Sequence, residues 1–186
     1  MRLFVAIPLP PDVAAQAFQV LPSTLPALRR VKVENLHVTL AFLGQTPDER
    51  LDDVTAAARE AAAHVSRFTL SFDRVGQFPE RGRPRVVWLG IADGAASAVE
   101  LGAGVYSGLR SRSLRFDDRP LAPHLTLARV VEDATAAEAK TVGAAVRDLA
   151  IPSLRFDLDG IAVVQSVLSP KGPRYTALAT VPLAHK

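Results

Sequence analysis

The feature that most constrains this chain is an internal echo. "HVTLA" at residues 37 to 41 returns as "HLTLA" at 124 to 128, 87 residues later, with four of five positions identical. Both copies are runs of high β-propensity, and on a strand the side chains at i and i+2 share one face. His37 and Thr39 therefore point one way while Leu36, Val38 and Leu40 point the other, and His124 and Thr126 repeat the arrangement. One such pair is a weak signal, because a core histidine satisfied by a neighbouring hydroxyl is common. Its return argues for a duplicated fold with two equivalent strands.

The flanking segments follow the same order in both halves. The first half reads as a strand at 2 to 7, a helix from about Asp12 to Leu28, the His37 strand, a helix from about 48 to 65 and a strand at 68 to 76. The second reads as a strand at 85 to 91, a helix at about 94 to 110, the His124 strand, a helix at about 134 to 148 and a strand at 154 to 165, with a last strand at 173 to 181. Pro47-Asp48 is a helix-start signal, and the alanine-rich run after it has high helix propensity. "FTLSFDRV" at 68 to 75 matches "LRFDLDGI" at 154 to 161 with Asp73 aligned to Asp159, and "RPRVVWL" at 83 to 89 resembles "GPRYTAL" at 172 to 178. The predicted class is α+β: two pseudo-symmetric lobes, each a small, mostly antiparallel sheet with helices on its outer face, about a central cleft carrying both H-x-T motifs. The whole of 1–186 is predicted to be one bilobal domain, its duplicated halves spanning about 1–80 and 81–170.

Composition narrows the function classes. At 186 residues the chain suits one compact unit, and 48% hydrophobic with 22% charged residues is ordinary for a globular protein. There is no cysteine, which removes disulfides, thiol nucleophiles and thiolate metal sites together, and fits a cytoplasmic protein. No signal peptide or membrane span is visible. The net charge of +3 allows an anionic partner. The local cluster "ERGRPR" at 80 to 85 reads equally as a solvated loop or a phosphate-facing one.

Two histidines facing each other across a cleft can act as general base and general acid, because an unperturbed imidazole titrates near 6.5. Threonine hydroxyls beside them would bind the non-bridging oxygens of a phosphate and stabilise charge developing there. A catalytic zinc normally takes three protein ligands, and the chain has no H-E-x-x-H, H-x-H or cysteine cluster, so neither metal nor cofactor is expected. There is also no G-x-S-x-G, no phosphate-binding G-x-x-x-x-G-K-[ST] loop and no K-x-D-G nucleotidyl-transfer motif. His64, at a predicted helix C-terminus, and His185, in the C-terminal tail, read as structural or solvated.

With two H-x-T motifs in related halves, the sequence resembles the 2H phosphoesterase superfamily, and within it the bacterial and archaeal RNA 2′,3′-cyclic phosphodiesterases, also called 2′-5′ RNA ligases. "RLFVAIPLP", "NLHVTLAFLG", "RPRVVWLG", "RPLAPHLTLAR" and "SPKGPRYTAL" carry the likeness along nearly the whole chain. The resemblance implies metal-independent opening of a 2′,3′-cyclic phosphate at an RNA end to a 2′-phosphomonoester, with a reverse reaction that forms a 2′-5′ linkage. It assigns His124 as base and His37 as acid. It also places Phe42 and Arg129 near the substrate, Phe42 stacking on a base and Arg129 binding phosphate or ribose. Both stand five residues after their histidine, so on an ideal strand they would face away, and they reach the cleft only if the strand ends or bulges first. Lys171, Arg174 and Tyr175 are expected on a turn near the cleft. The expected partner is an RNA with a 2′,3′-cyclic phosphate end, bound by a monomer and away from membranes. The alternatives are the same chemistry on a small cyclic phosphate nucleotide and a non-catalytic RNA-binding module.

Overall fold

The computed structural model describes residues 1–25, 27–147, 149–170 and 172–185. Among them the elements run β1 (Arg2–Pro8), α1 (Pro11–Gln19), β2 (Leu28–Arg30), β3 (His37–Gln45), α2 (Leu51–His64), β4 (Phe68–Phe78), β5 (Val86–Ile91), α3 (Ala95–Ser111), β6 (His124–Val130), α4 (Ala136–Arg147), β7 (Leu154–Leu158), β8 (Gly160–Val167) and β9 (Arg174–Pro182). The α+β class is as the sequence implies. The first helix is shorter than expected, ending at Gln19 rather than Leu28. Pro22 lacks the N–H a helix needs and pushes Leu21 out of helical conformation, so the chain leaves the helix and Leu28 opens a strand instead.

The strands join in one sheet in the order β7-β4-β5-β6-β3-β1-β8-β9, with β2 added beside β6. This order mirrors about its centre, pairing β6 with β3, β5 with β1 and β4 with β8 as counterparts. The two wings meet at a single paired position, Val38 opposite Leu125. Every strand pairing is antiparallel.

The sequence halves do not map one to one onto the wings. β4, from the first half, lies beside β5 of the second, and β8, from the second half, lies beside β1 of the first. The matched segments 68–75 and 154–161 are consequently not counterparts: Phe68 to Phe72 pair directly with Leu158 to Leu154, and the Thr69 hydroxyl donates to Asp157 at 2.7 Å. Two strands that alternate apolar and polar residues look alike whether they are repeats or neighbours, so the pattern alone could not separate the cases. Likewise 83–89 leads into β5, the counterpart of β1, whereas 172–178 opens the edge strand β9. The expected single strand at 154 to 165 divides at Asp159 into β7 and β8, which sit in opposite wings. One residue spans at most about 7 Å between its neighbours' Cα atoms, so the sheet must curl until those wings approach.

The helices cover the sheet's outer face. Val38, Leu40, Leu89 and Leu125 are buried there with Leu101, Val105 and Leu109 of α3 and Ala57, Ala58 and Ala61 of α2. The two helices touch through small residues, for a Cβ added at Gly108 would lie 2.9 Å from the Ala57 Cα. The opposite, concave face carries the histidines together with a small apolar cluster of Phe4, Ala6, Ala162 and Val164. Among the described residues no helix is long and apolar enough to cross a membrane.

Candidate active site

Each histidine opens its strand and is fixed in the same way. His37 Nδ1–H donates to the Asn35 carbonyl at 2.7 Å, and His124 Nδ1–H donates to the Ala122 carbonyl at 2.7 Å. A carbonyl can only accept, so the proton belongs on Nδ1 and the neutral ring presents Nε2 as its basic atom. In both copies the acceptor lies two residues upstream, so one local backbone geometry sets both tautomers. The Thr39 hydroxyl donates to His37 Nε2 at 3.1 Å. Extending the Val38 to Leu125 register by one residue either way sets His37 beside Thr126 and Thr39 beside His124.

Both imidazoles are held below their ordinary pKa. Burial is the main cause for each, opposed by the carbonyl hydrogen bond; the charge of His124 lowers His37 further, and Arg129 does the same to His124. The packing is aromatic on both sides. Phe4 and Tyr175 stand 4.8 and 5.3 Å from the His37 ring, and Phe78 and Trp88 stand 5.0 and 6.0 Å from His124. Trp88 lies flat across the β4 backbone at Gly76, where an added Cβ would come within 2.3 Å of the indole.

A bulge brings Phe42 and Arg129 round to this face. Between Val5 and Ala6 the partner strand β3 advances from Ala41 to Thr39, leaving Leu40 extra. Between Val87 and Trp88, β6 advances from Ala128 to Thr126, leaving Leu127 extra. Each extra leucine stands three residues after its histidine, and each shifts the alternation by one. Phe42 and Arg129 thereby line the cavity with His37, Thr39 and Thr126, instead of facing the helices.

That cavity is about 570 Å³, within the usual size of ligand sites. Tyr175 lines it, half-buried and edge-on to His37. Arg174, one residue earlier on β9, is exposed and does not line it, as strand alternation requires. Lys171 lies outside the described residues. The cluster at 80 to 85 is elsewhere too, and Arg83 donates to the carbonyls of Glu132 and Ala134.

Several lining residues escaped the sequence reading: Arg2, Phe4, Arg29, Lys32 and Asn35. Arg2 and Phe4 follow from alternation once β1 is known to pair with β3, but that pairing is tertiary. Asn35 is buried at 6% exposure, and its Nδ2 donates to the Pro173 carbonyl at 2.9 Å, tying the segment before His37 to the β8–β9 hairpin that carries Tyr175. The described lining contains no carboxylate, and no group of three described histidine, aspartate or glutamate side chains gathers as a metal site would need. His37, Thr39 and Thr126 line the cavity, whereas His124 is not in its lining and is set beside Thr39 by the strand register. Two imidazoles whose Nε2 atoms can take or give a proton, with hydroxyls and basic side chains nearby, suit proton transfer at a phosphate.

The family model described as the 2′-5′ RNA ligase superfamily matches residues 8–169. A protein of Geobacillus stearothermophilus named RNA 2′,3′-cyclic phosphodiesterase is 34% identical over 97% of this chain, which spans only 56% of that relative's length. One of the same name from Archaeoglobus fulgidus is 33% identical over 96% of this chain and 98% of its own. A solved structure from Thermus thermophilus superposes with a TM-score of 0.82 at 30% identity, covering 100% of both chains.

Proposed function

Because this chain belongs to the 2′-5′ RNA ligase superfamily, we propose that it is an enzyme that opens the 2′,3′-cyclic phosphate at an RNA 3′ end to a 2′-phosphomonoester. One observation carries the reading: two imidazoles at equivalent strand starts, each with Nδ1 tied to a carbonyl two residues upstream and Nε2 left as the basic atom. His124 Nε2 takes a proton from water as the water oxygen bonds to phosphorus. The bond from phosphorus to O3′ breaks in line, and His37, protonated at Nε2, gives its proton to O3′. The Thr39 and Thr126 hydroxyls hold the non-bridging oxygens, Arg129 faces the phosphate or ribose, and Phe42 stacks on the terminal base. A 5′-hydroxyl in place of water forms a 2′-5′ linkage by the same displacement.

Both halves of the machinery come from one chain, so a monomer suffices, and the lack of cysteine suits a cytoplasmic setting. The test is a short RNA with a 2′,3′-cyclic phosphate end, incubated with the protein in excess EDTA. A 2′-phosphate end supports metal-free two-histidine chemistry and identifies the broken bond. An RNA end left intact, with small cyclic nucleotides opened, would move the reading to those substrates.

A further inference from the structure

The segment just before the first motif, "RRVK" at 29 to 32, is the most basic part of the cavity wall. Arg29 sits directly opposite Arg129 in the β2–β6 pairing, so the two side chains leave the same face of the sheet at adjacent positions. Like charges in direct cross-strand register repel and destabilise the sheet. Nothing nearby relieves them: the described lining has no carboxylate, and among the described residues Arg29, Lys32 and Arg129 enter no ion pair. The neighbouring Arg30 also borders the cavity, but its guanidinium is held 3.8 Å over the Phe18 ring, so Arg29 and Lys32 are the cations of this stretch left without such a partner. Arg29 and Lys32 are exposed, Arg29 one strand beyond Arg129, and Arg129 is near enough to His124 to act on its charge. The cations thus lead outward from the histidines.

Resting on the RNA-end reading above, we infer that Arg29 and Lys32 form a second phosphate subsite, which takes the internucleotide phosphate preceding the cyclic end. The polarity of the strand leaves no other choice, for a 3′-terminal cyclic phosphate has all its remaining phosphates on the 5′ side. The repulsion between Arg29 and Arg129 is relieved when that anion lies between them. The enzyme is therefore built for oligonucleotide ends over cyclic mononucleotides.

Three substrates test this: a cyclic mononucleotide, a dinucleotide ending in the same cyclic nucleotide, and that dinucleotide with an uncharged methylphosphonate at the internucleotide position. The charged dinucleotide should exceed both others in kcat/KM by about tenfold, the worth of one charge-assisted contact. In the double variant Arg29→Gln, Lys32→Gln the ratio of charged to uncharged dinucleotide should fall several-fold, Arg129 alone remaining beside the anion. Because it is a ratio within one protein, partial unfolding leaves it unmoved, and Lys32→Gln alone should lower it part of the way. A wild-type ratio near one, or a ratio undiminished in the double variant, overturns the subsite while leaving the phosphodiesterase reading intact. Failure of the wild type to open any of the three ends overturns that parent reading, and the subsite falls with it.

Discussion

Replacing Asn35 with alanine should weaken both the fold and the site, in a way that separates its side chain from its backbone. Its Nδ2 donates to the Pro173 carbonyl across 138 residues of sequence, and the residue is 6% exposed. Truncation leaves that half-buried carbonyl without its donor, at a cost of about 2 kcal/mol. For a chain of 186 residues the unfolding entropy is roughly 0.4 kcal/mol/K, so Tm should fall by about 5 °C. Freeing the hairpin loosens Tyr175 against His37, and KM for a cyclic-phosphate RNA end should rise by about tenfold, or ~1.4 kcal/mol. The bond that fixes the His37 tautomer goes to the Asn35 main-chain carbonyl, which alanine retains. The pH dependence of kcat should therefore stay that of the wild type. Asn35→Asp keeps the volume and removes the donor, so at pH 8 it should lose at least as much stability, which separates the hydrogen bond from the cavity left by alanine. Thermal melts and steady-state kinetics on the three proteins suffice. A Tm within about 1 °C of wild type with unchanged KM, or a displaced pH profile in Asn35→Ala, would refute the tether.

Other perturbations reach the remaining parts of the site. His37→Gln and His124→Gln should each lower kcat by about 10²- to 10⁴-fold with the fold kept, read from EDTA-treated protein and circular dichroism. Both imidazoles are depressed in the folded state, so above their unfolded pKa of about 6.5 their neutral forms cost nothing. As pH falls from there through the folded values, the unfolded chain binds protons first and stability is lost. Denaturant midpoints should drop on acidification over that window and less steeply in either glutamine variant; equal slopes would contradict it. Gly76→Ala must displace the Trp88 indole, costing about 1–3 kcal/mol and lowering kcat through the ring beside His124, measurable by melts, tryptophan fluorescence and turnover.

The two H-x-T strands, β3 and β6, and the alternation that sets each His and Thr on one face were legible because a strand's period of two is a local property of the chain. The exclusion of thiol chemistry was equally local, since it needs only the absence of cysteine. Phe42 and Arg129 lay at the limit of such reasoning. Their odd offset demanded a bulge, but Leu40 and Leu127 become the extra residues only because β1 and β5 pair where they do. Arg174 shows the converse, placed near the cleft by resemblance and turned from it by the register of β9 against β8. The exchange of β4 and β8 between wings was invisible, since alternating strands present the same pattern to a neighbour as to a repeat. Arg29 opposite Arg129 and Asn35 bonded to Pro173 required the tertiary structure for the same reason: each joins residues about 100 or more apart in sequence, and only the folded sheet decides which distant segments come within hydrogen-bond reach.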